Sequence, residues 1–308
     1  MSDVYYDEIV ADDRRVSQVY SGVSLNRMGA IESNDNLREW RESAQHWEKH
    51  AQTLRTMFAP ITRALIEEAG IAEGQSVLDV AGGPGEPSLT IAKVVGPTGS
   101  VTCTDAVGEM VAAAESEAGR RGLTNIKFRQ CTADSLPFES SEFAAVVSRL
   151  GAMFFPDPLV ALGEMLRVTK SGCAVSLAVW DRSELNPFFY VVTDVISRYV
   201  EMASADPNAP GAFRFAESGK LAGILSDAGA TGVRERSLAF RMEAPISREQ
   251  FWELRSETSG TLREKLASIT VAQARRAALE VQEAVREFFP NDRMSLPAHM
   301  IIVTGIKQ

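Results

Sequence analysis

The sequence predicts an α/β fold in which a doubly wound, mostly parallel sheet is enclosed by helices. Two observations predict this class. Between residues 76 and 180, short apolar runs of strand length alternate with helical segments, which is the pattern of βαβ units. The first of these runs ends in a cluster of glycines that leads into a helix. In open sheets of this kind, ligands bind at the carboxyl ends of the strands.

Seven segments are predicted as strands, because each is a short apolar run bounded by turn-forming residues. They are 77–82, 100–105, 126–130, 143–148, 174–180, 232–242 and 299–307. Helices are predicted before, between and after them, and a long charge-balanced helical stretch interrupts the alternation. The helical segments are 12–20, 37–51, 54–69, 87–95, 108–121, 157–168, 187–202, 216–228 and 247–289.

The helical segments outside the alternating region predict a ligand-binding core with covering segments. We expect an N-terminal helical extension or lid over 1–70 and a first part of the core over 71–180. The remaining segments are a helical cap insertion over 181–215, core over 216–246, a second cap insertion over 247–293 and a final core strand over 294–308. All the covering segments are expected over the active-site end of the sheet.

Charge and composition exclude several classes of function. The formal net charge of −9 disfavours binding to nucleic acid or to an anionic membrane surface. The three cysteines, Cys103, Cys131 and Cys173, have no metal-ligand spacing and are expected to be reduced. The acidic start is no signal peptide, and no apolar run is long enough to span a membrane. A cytoplasmic protein with a small-molecule substrate is therefore expected.

The most informative stretch is the glycine-rich turn that follows the first strand, VLDVAGGPGE at 77–86. Glycines at such a turn let a ligand approach the backbone, and the helix that follows presents its N-terminal amides. Asp79 would repel a pyrophosphate but attract an ammonium group, and Ser88 replaces the third glycine of a dinucleotide-binding turn. Asp105 ends the second strand, where a carboxylate accepts hydrogen bonds from ribose hydroxyls. Together these features favour a nucleoside that carries an amino acid.

Further signals follow in register along the core. Met110, just inside the next helix, is placed to pack on adenine, and Asp134 after the third strand is placed to accept from its amino group. The stretch 148–151, Ser-Arg-Leu-Gly, follows the fourth strand, close to where the reacting group is expected.

At this point the sequence resembles a known family. The stretches VLDVAGGPGEPSL, VTCTDAVGEM, TADSLPFESSEFAAVV and LGEMLRVTKSGC resemble class I S-adenosylmethionine (SAM)-dependent methyltransferases, most closely the ubiquinone/menaquinone-biosynthesis branch. The resemblance implies a Rossmann-like sheet with an antiparallel last strand and SAM as cofactor. It implies that Asp105 contacts ribose and that Met110 contacts adenine. The full set of expected cofactor contacts is Asp79, Ala81, Gly82, Gly83, Gly85, Asp105, Ala106, Met110, Ala133, Asp134, Ser135 and Ser148.

The sequence departs from the family pattern at three places. Ala81 stands where the family usually has its first glycine, and Ala144 stands where an acid usually precedes the fourth strand. The usual Lys-Pro-Gly-Gly turn is Lys-Ser-Gly-Cys at 170–173.

The candidate catalytic residues are His46 and Arg149. His46 and His50 lie four residues apart on a predicted helix, where they either face solvent or supply a general base. Their spacing also suits a metal, but no third ligand is evident and no metal is predicted. Arg149 is expected either to orient an anionic substrate group or to pair with a nearby carboxylate.

Aromatic residues are frequent in the covering segments and favour an aromatic, prenylated or polyketide-like substrate. The predicted substrate contacts are Trp47, Met153, Phe154, Phe188 and Tyr199. The sequence thus predicts methyl transfer to carbon or oxygen of a small apolar metabolite. The alternatives are methylation coupled to cyclisation, a cyclase with structural SAM, a non-catalytic SAM-binding protein and an NAD-dependent oxidoreductase. The N-terminal helix at 12–20 is also a candidate for exchange between subunits.

Overall fold

The computed structural model describes residues 37–201 and 206–308, so the helix predicted at 12–20 lies outside the described residues. The strands are β1 (Ser76–Val80), β2 (Ser100–Asp105), β3 (Ile126–Gln130), β4 (Phe143–Arg149), β5 (Thr169–Trp180), β6 (Thr231–Ala244) and β7 (Met294–Ile306). The α-helices are α1 (37–49), α2 (Ala51–Glu68), α3 (Ser88–Val95), α4 (Gly108–Arg120), α5 (Pro158–Val168), α6 (Pro187–Ile196), α7 (Lys220–Asp227), α8 (Arg248–Thr258), α9 (Gly260–Ala267) and α10 (Val271–Ala284).

The seven strands form one sheet in the order β3-β2-β1-β4-β5-β7-β6. The pairings among β1 to β5 are parallel, whereas β7 runs antiparallel to both β5 and β6. This confirms the predicted fold class. The chain moves outward from β1 in one direction and resumes at β4 on its other side, so the carboxyl ends of β1 and β4 flank a switch point.

Burial on both faces of the sheet explains the continuous apolar runs of its central strands. Leu78 and Val80 of β1 pack in the larger core cluster, and Val77 packs in a second cluster. All three side chains are at most 2% exposed. The strands are therefore held rigidly, and the residues at their carboxyl ends are fixed in position.

The long helical stretch predicted at 247–289 is three helices. Ser259 and Thr270 begin α9 and α10, because their side chains accept hydrogen bonds from backbone amides in the first turns of these helices. The helix predicted at 187–202 already ends at Ile196. Among the described residues, no helix is long and apolar enough to cross a membrane.

Helix α1 lies against α8 and α9 and is fastened to them by side chains. The Trp47 indole N–H donates to the Thr258 carbonyl at 3.1 Å. Glu39 accepts a hydrogen bond from the Thr261 amide at 3.0 Å, at the start of α9. These two hydrogen bonds thereby join α1 to α8 and α9, although the bonded residues are more than two hundred positions apart in the chain.

Candidate active site

A cavity opens at the carboxyl ends of β1, β2 and β4, on the side where α1 and α2 cover the sheet. Its floor is the turn that follows β1, and its walls include residues after β2 and β4. The strands fix these positions because all three are paired in register up to their last residues. The cavity therefore lies at the switch point that the sequence predicted as the ligand-binding end.

The turn after β1 requires glycine because its backbone lies against neighbouring side chains. A Cβ atom on Gly82 would lie 2.7 Å from Cys103 Sγ and 2.8 Å from Asp79 Oδ2. Gly83 and Gly85 have φ angles of +56° and +113°, which side chains rarely adopt. The glycines thus leave the backbone of the turn exposed to the cavity. Larger residues at these positions would fill the space beside the backbone.

Asp79 lies beneath this turn and is fully buried. Its Oδ2 accepts hydrogen bonds from the Ser88 hydroxyl at 2.6 Å and the Ser88 amide at 3.1 Å. Its Oδ1 is buried and has no hydrogen-bond partner in the part of the chain that the structure describes. Burial raises the pKa of Asp79 to about 7, against the opposing effects of the Ser88 hydrogen bonds and the charge of Arg149. One carboxylate oxygen is therefore available to a positively charged group.

Asp105 lies at the carboxyl end of β2 and lines the cavity. Its two oxygens accept the amides of Gly83 and Val107, each at 2.9 Å. Burial raises the pKa of this carboxyl above its ordinary value, although these backbone hydrogen bonds oppose the effect. Each oxygen keeps a second lone pair, so the carboxylate can also accept from two hydroxyl groups.

These residues fit an amino-acid-bearing nucleoside. The unpartnered Asp79 oxygen and the backbone of the turn suit an ammonium group, and Asp105 suits a ribose diol. Met110 is 3% exposed and lines the same cavity, as do Ala133 and Asp134. Together they offer an apolar surface and a carboxylate edge for a purine base.

Arg149 braces the cavity from β4. Its guanidinium donates to the Glu86 carbonyl at 2.9 Å and to Thr62 Oγ1 at 3.0 Å, and its Nε is buried without a partner. Burial lowers the pKa of Arg149, while the charges of Glu86 and Asp79 oppose the effect. Arg149 therefore ties the turn to α2, and its catalytic role stays a prediction.

A buried ion pair stands beside the turn. Arg121 Nη1 lies 2.7 Å from Glu86 Oε1, and the two side chains are 12% and 9% exposed. Both residues line the cavity. Sequence reasoning missed this pair because Arg121 follows α4 and no local pattern links it to the turn.

The outer part of the cavity is aromatic. The rings of Trp40 and Trp47 meet edge to face at 5.7 Å, and Trp40 meets Phe154 at 5.0 Å. Trp40 and Trp47 come from α1, whereas Phe154 follows β4. Trp40 is not among the predicted substrate contacts, because only packing brings it beside Phe154.

The structure brings most of the predicted site residues together at this cavity. Those that line it are Trp47, Ala81, Gly82, Gly83, Asp105, Ala106, Met110, Ala133, Asp134, Arg149 and Phe154. Eight others are not among its lining residues, namely His46, Asp79, Gly85, Ser135, Ser148, Met153, Phe188 and Tyr199. Of these, Gly85 belongs to the turn itself, Asp79 lies beneath the turn on β1, and Ser148 lies buried on β4.

His46 and His50 both approach Glu257 of α8. His50 Nε2 lies 2.7 Å from Glu257 Oε2, and His46 Nδ1 lies 3.9 Å from the same oxygen. Lys49 also binds this carboxylate, at 2.8 Å. The pair therefore joins α1 to α8, and the catalytic role of His46 stays a prediction. Tyr199 likewise donates to Glu280 of α10, at 2.8 Å.

Comparison with known proteins decides the family. The signature of the ubiE/COQ5 methyltransferase family matches residues 9–200. The chain belongs to this family. Membership of the ubiE/COQ5 methyltransferase family confirms the resemblance that the sequence motifs indicated. It also confirms S-adenosylmethionine as the cofactor, which the turn and Asp105 fit.

Individual relatives agree with this family. An uncharacterised protein of Mycobacterium tuberculosis is 34% identical over 185 residues, which cover 60% of this chain and 64% of the relative. The ubiquinone/menaquinone biosynthesis C-methyltransferase UbiE of Cellvibrio japonicus is 37% identical over 111 residues, covering 36% of this chain and 45% of UbiE. Because less than two thirds of each relative is covered, the activity and acceptor of the whole protein are proposals.

A solved structure agrees with the fold. Phosphoethanolamine N-methyltransferase 2 of Haemonchus contortus, in complex with S-adenosyl-L-methionine, matches with a TM-score of 0.53 and 14% identity. The match covers 88% of this chain and 60% of that structure. At this identity the likeness concerns the fold of the ubiE/COQ5 family member and nothing about its acceptor.

Proposed function

We propose that the chain transfers a methyl group from SAM to a carbon or oxygen atom of a small, largely apolar metabolite. The acceptor class is aromatic, prenylated or polyketide-like, and the setting is secondary metabolism in the cytoplasm. One observation carries the proposal: the cavity that contains the glycine turn and Asp105 continues into walls formed by Trp40, Trp47 and Phe154. A cofactor cradle and an apolar acceptor pocket thus share one space.

The residues of the site would divide the work between binding and exclusion of water. SAM, when bound, supplies an electrophilic methyl group that needs alignment more than activation. Asp105, Met110 and the turn at 81–85 would hold the nucleoside and the amino acid. The aromatic walls would orient a planar or apolar acceptor and keep water from the reacting atoms.

Arg149 would keep the turn in place through the Glu86 carbonyl. For a phenolic or carbon-acid acceptor a proton must also leave, and His46 is our candidate for that role. Its contact with Glu257 gives it a fixed position on α1.

The experiment is turnover with SAM carrying a deuterated methyl group and a panel of naphthols, quinols, prenylated phenols and aromatic polyketides. Mass spectrometry should find the deuterated methyl on an acceptor, with one S-adenosylhomocysteine formed per product. At SAM concentrations that limit the wild-type rate, Asp105→Ala should reduce this incorporation by about tenfold or more, and Glu109→Ala, on the exposed start of α4, should not.

Other products would contradict the proposal in informative ways. An isomer of an acceptor without added mass would indicate cyclisation alone. Tight SAM binding with no turnover of any acceptor would favour a SAM-binding protein. Thermal stabilisation by NAD and none by SAM would favour an oxidoreductase.

We also propose that the segment at 12–20 mediates self-association, on the ground of its separation from α1 by a stretch rich in small and polar residues. Light scattering of the full chain and of a variant lacking residues 1–20 tests this. An identical monomeric mass for both would contradict it.

A further inference from the structure

The buried face of α8 carries a cation for which the described residues provide no counter-charge. Arg255 is 8% exposed, and its guanidinium carbon lies 4.3 Å from the ring centre of Phe188 and 5.0 Å from that of Phe189. Its Nε is buried and makes no hydrogen bond. Burial lowers the pKa of Arg255 to about 10, and no charged group within the described residues opposes that effect.

Such an arrangement lowers the stability of the folded protein, so we expect it to serve a purpose. A buried guanidinium loses its hydration, and the faces of two phenylalanine rings replace only part of that interaction. The other buried or half-buried arginines at this end of the sheet are compensated, since Arg121 binds Glu86 and Arg149 binds the Glu86 carbonyl. Arg255 differs from both because its guanidinium lies against two phenylalanine rings and its Nε bonds no described residue.

Arg255 is close to the acceptor side of the cavity. One turn further along α8, the Thr258 carbonyl accepts from the indole of Trp47, which lines the cavity. Phe251, Leu254, Arg255 and Thr258 form the buried face of α8. This face therefore adjoins Trp47, a lining residue of the cavity, while Arg255, Phe188 and Phe189 are not themselves among the lining residues.

We infer that Arg255, whose guanidinium lies against the rings of Phe188 and Phe189, is the subsite for a carboxylate carried by the acceptor at the end remote from its methylation site. The inference rests on the proposed function, because it names the acceptor of that same cavity as an apolar acid. A single guanidinium balances one negative charge, which suits a carboxylate rather than a dianionic phosphate. The two rings would flank the apolar atoms next to the carboxylate.

Stability provides the first test. If Arg255 is kept for a ligand, Arg255→Met removes an uncompensated charge while keeping a long apolar side chain, and the apo-protein should melt several degrees higher. If Arg255 serves packing alone, the same substitution should lower the melting temperature. Arg276→Met, at an exposed position on α10, is the matched control and should change the melting temperature little.

Ligand preference provides the second test. With S-adenosylhomocysteine present, the wild-type protein is titrated with naphthalene-2-carboxylate, biphenyl-4-carboxylate and dodecanoate, each paired with its primary amide. We expect at least one acid to bind about tenfold more tightly than its amide. Arg255→Met should lose that preference and keep its affinity for the amide, and Arg255→Lys should keep part of the preference.

The outcomes separate this inference from the proposed function. If S-adenosylhomocysteine binds and neutral acceptors are methylated, but no acid binds better than its amide, the carboxylate subsite is wrong and the methyltransferase proposal stands. A lower melting temperature for Arg255→Met would also overturn the subsite. If S-adenosylhomocysteine does not bind to the wild-type protein, the proposed function fails first, and the subsite fails with it.

Discussion

Ala81 and Gly151 meet where β1 and β4 end, at the floor of the cavity. A Cβ atom on Gly151 would lie 2.5 Å from the Cβ atom of Ala81 and 2.8 Å from Ser148 Oγ. Ala81 itself has a φ angle of +59°, in the left-handed region that favours glycine. Ala81 thus replaces the family's usual glycine, and Gly151, just after β4, leaves room for its methyl group.

This pair predicts opposite effects for two small substitutions. Ala81→Gly should stabilise the protein by about 0.5–1 kcal/mol, since relief of left-handed strain outweighs the added freedom of the unfolded chain. Gly151→Ala should destabilise it by about 1–3 kcal/mol, because two methyl groups cannot occupy one space. Urea unfolding of both variants and of the double variant measures the coupling. Additive effects in the double variant would show that the two residues do not constrain each other.

Asp105 should be essential for cofactor affinity. We expect Asp105→Ala to weaken S-adenosylhomocysteine binding by about tenfold to a hundredfold, because hydrogen bonds from the ribose to a charged acceptor are lost. Asp105→Asn, which keeps one accepting oxygen, should lose less. Isothermal titration calorimetry measures both, with Glu109→Ala as the control. An affinity within twofold of wild type for Asp105→Ala would contradict the assignment of the site.

Asp79 should make cofactor binding depend on pH. Burial raises the pKa of Asp79 from 3.8 to about 7. The free-energy cost of burying its ionised carboxylate therefore grows as the pH rises from 3.8 to about 7, and it stays constant above pH 7. A bound ammonium group favours the ionised carboxylate. The affinity for S-adenosylhomocysteine should therefore rise by up to about tenfold per pH unit below pH 7 and level off above it.

Asp79→Asn is the control for this pH dependence. The variant should bind S-adenosylhomocysteine more weakly and without the rise, and its apo form should be more stable than wild type by roughly 2–4 kcal/mol near pH 8. Calorimetry across pH and chemical unfolding measure the two effects. An unchanged pH profile in Asp79→Asn would assign the titration to another group.

Glu257 should hold α1 against α8. Glu257→Gln removes its charge, so its contacts with His50 and Lys49 weaken while the shape of the side chain is kept. We expect hydrogen exchange of the α1 amides to become about threefold to fivefold faster, as for a partly exposed ionic contact. Exchange in β1 and β4 should not change. Equal exchange in α1 before and after substitution would mean that Trp47 and Glu39 suffice to hold it.

Local patterns accounted for the strands and for the cofactor half of the site. Asp79, the glycine turn and Asp105 could be found because each stands at the end of a short apolar run, and parallel strands bring such ends together. The same reasoning misplaced the ends of helices. Ser259 and Thr270 begin new helices within the stretch at 247–289, Ser259 through one capping hydrogen bond and Thr270 through a capping box with Gln273, and the charge pattern of the stretch does not reveal either cap.

The acceptor half of the site could not be predicted in the same way. His46, Phe188 and Tyr199 were predicted from residue type alone, and their partners in the structure are distant in the chain: His46 lies beside Glu257, Phe188 packs against Arg255 and Tyr199 binds Glu280. Each of these contacts joins residues at least 67 positions apart along the chain. Nothing in the local sequence of either partner indicates the other.

The sequence by itself determined the class of sheet, the place of the glycine turn and the two strand-end carboxylates, because these follow from periodicity and from residues within one βαβ unit. Only the tertiary structure decided that Gly151 accommodates Ala81, that α1 closes the cavity with Trp40 and Trp47, and that Arg255 is buried without a carboxylate among the described residues. Those features depend on how separate helices dock on the sheet. Docking depends on how side chains from distant segments pack together, so the residue pattern of a single segment does not predict it.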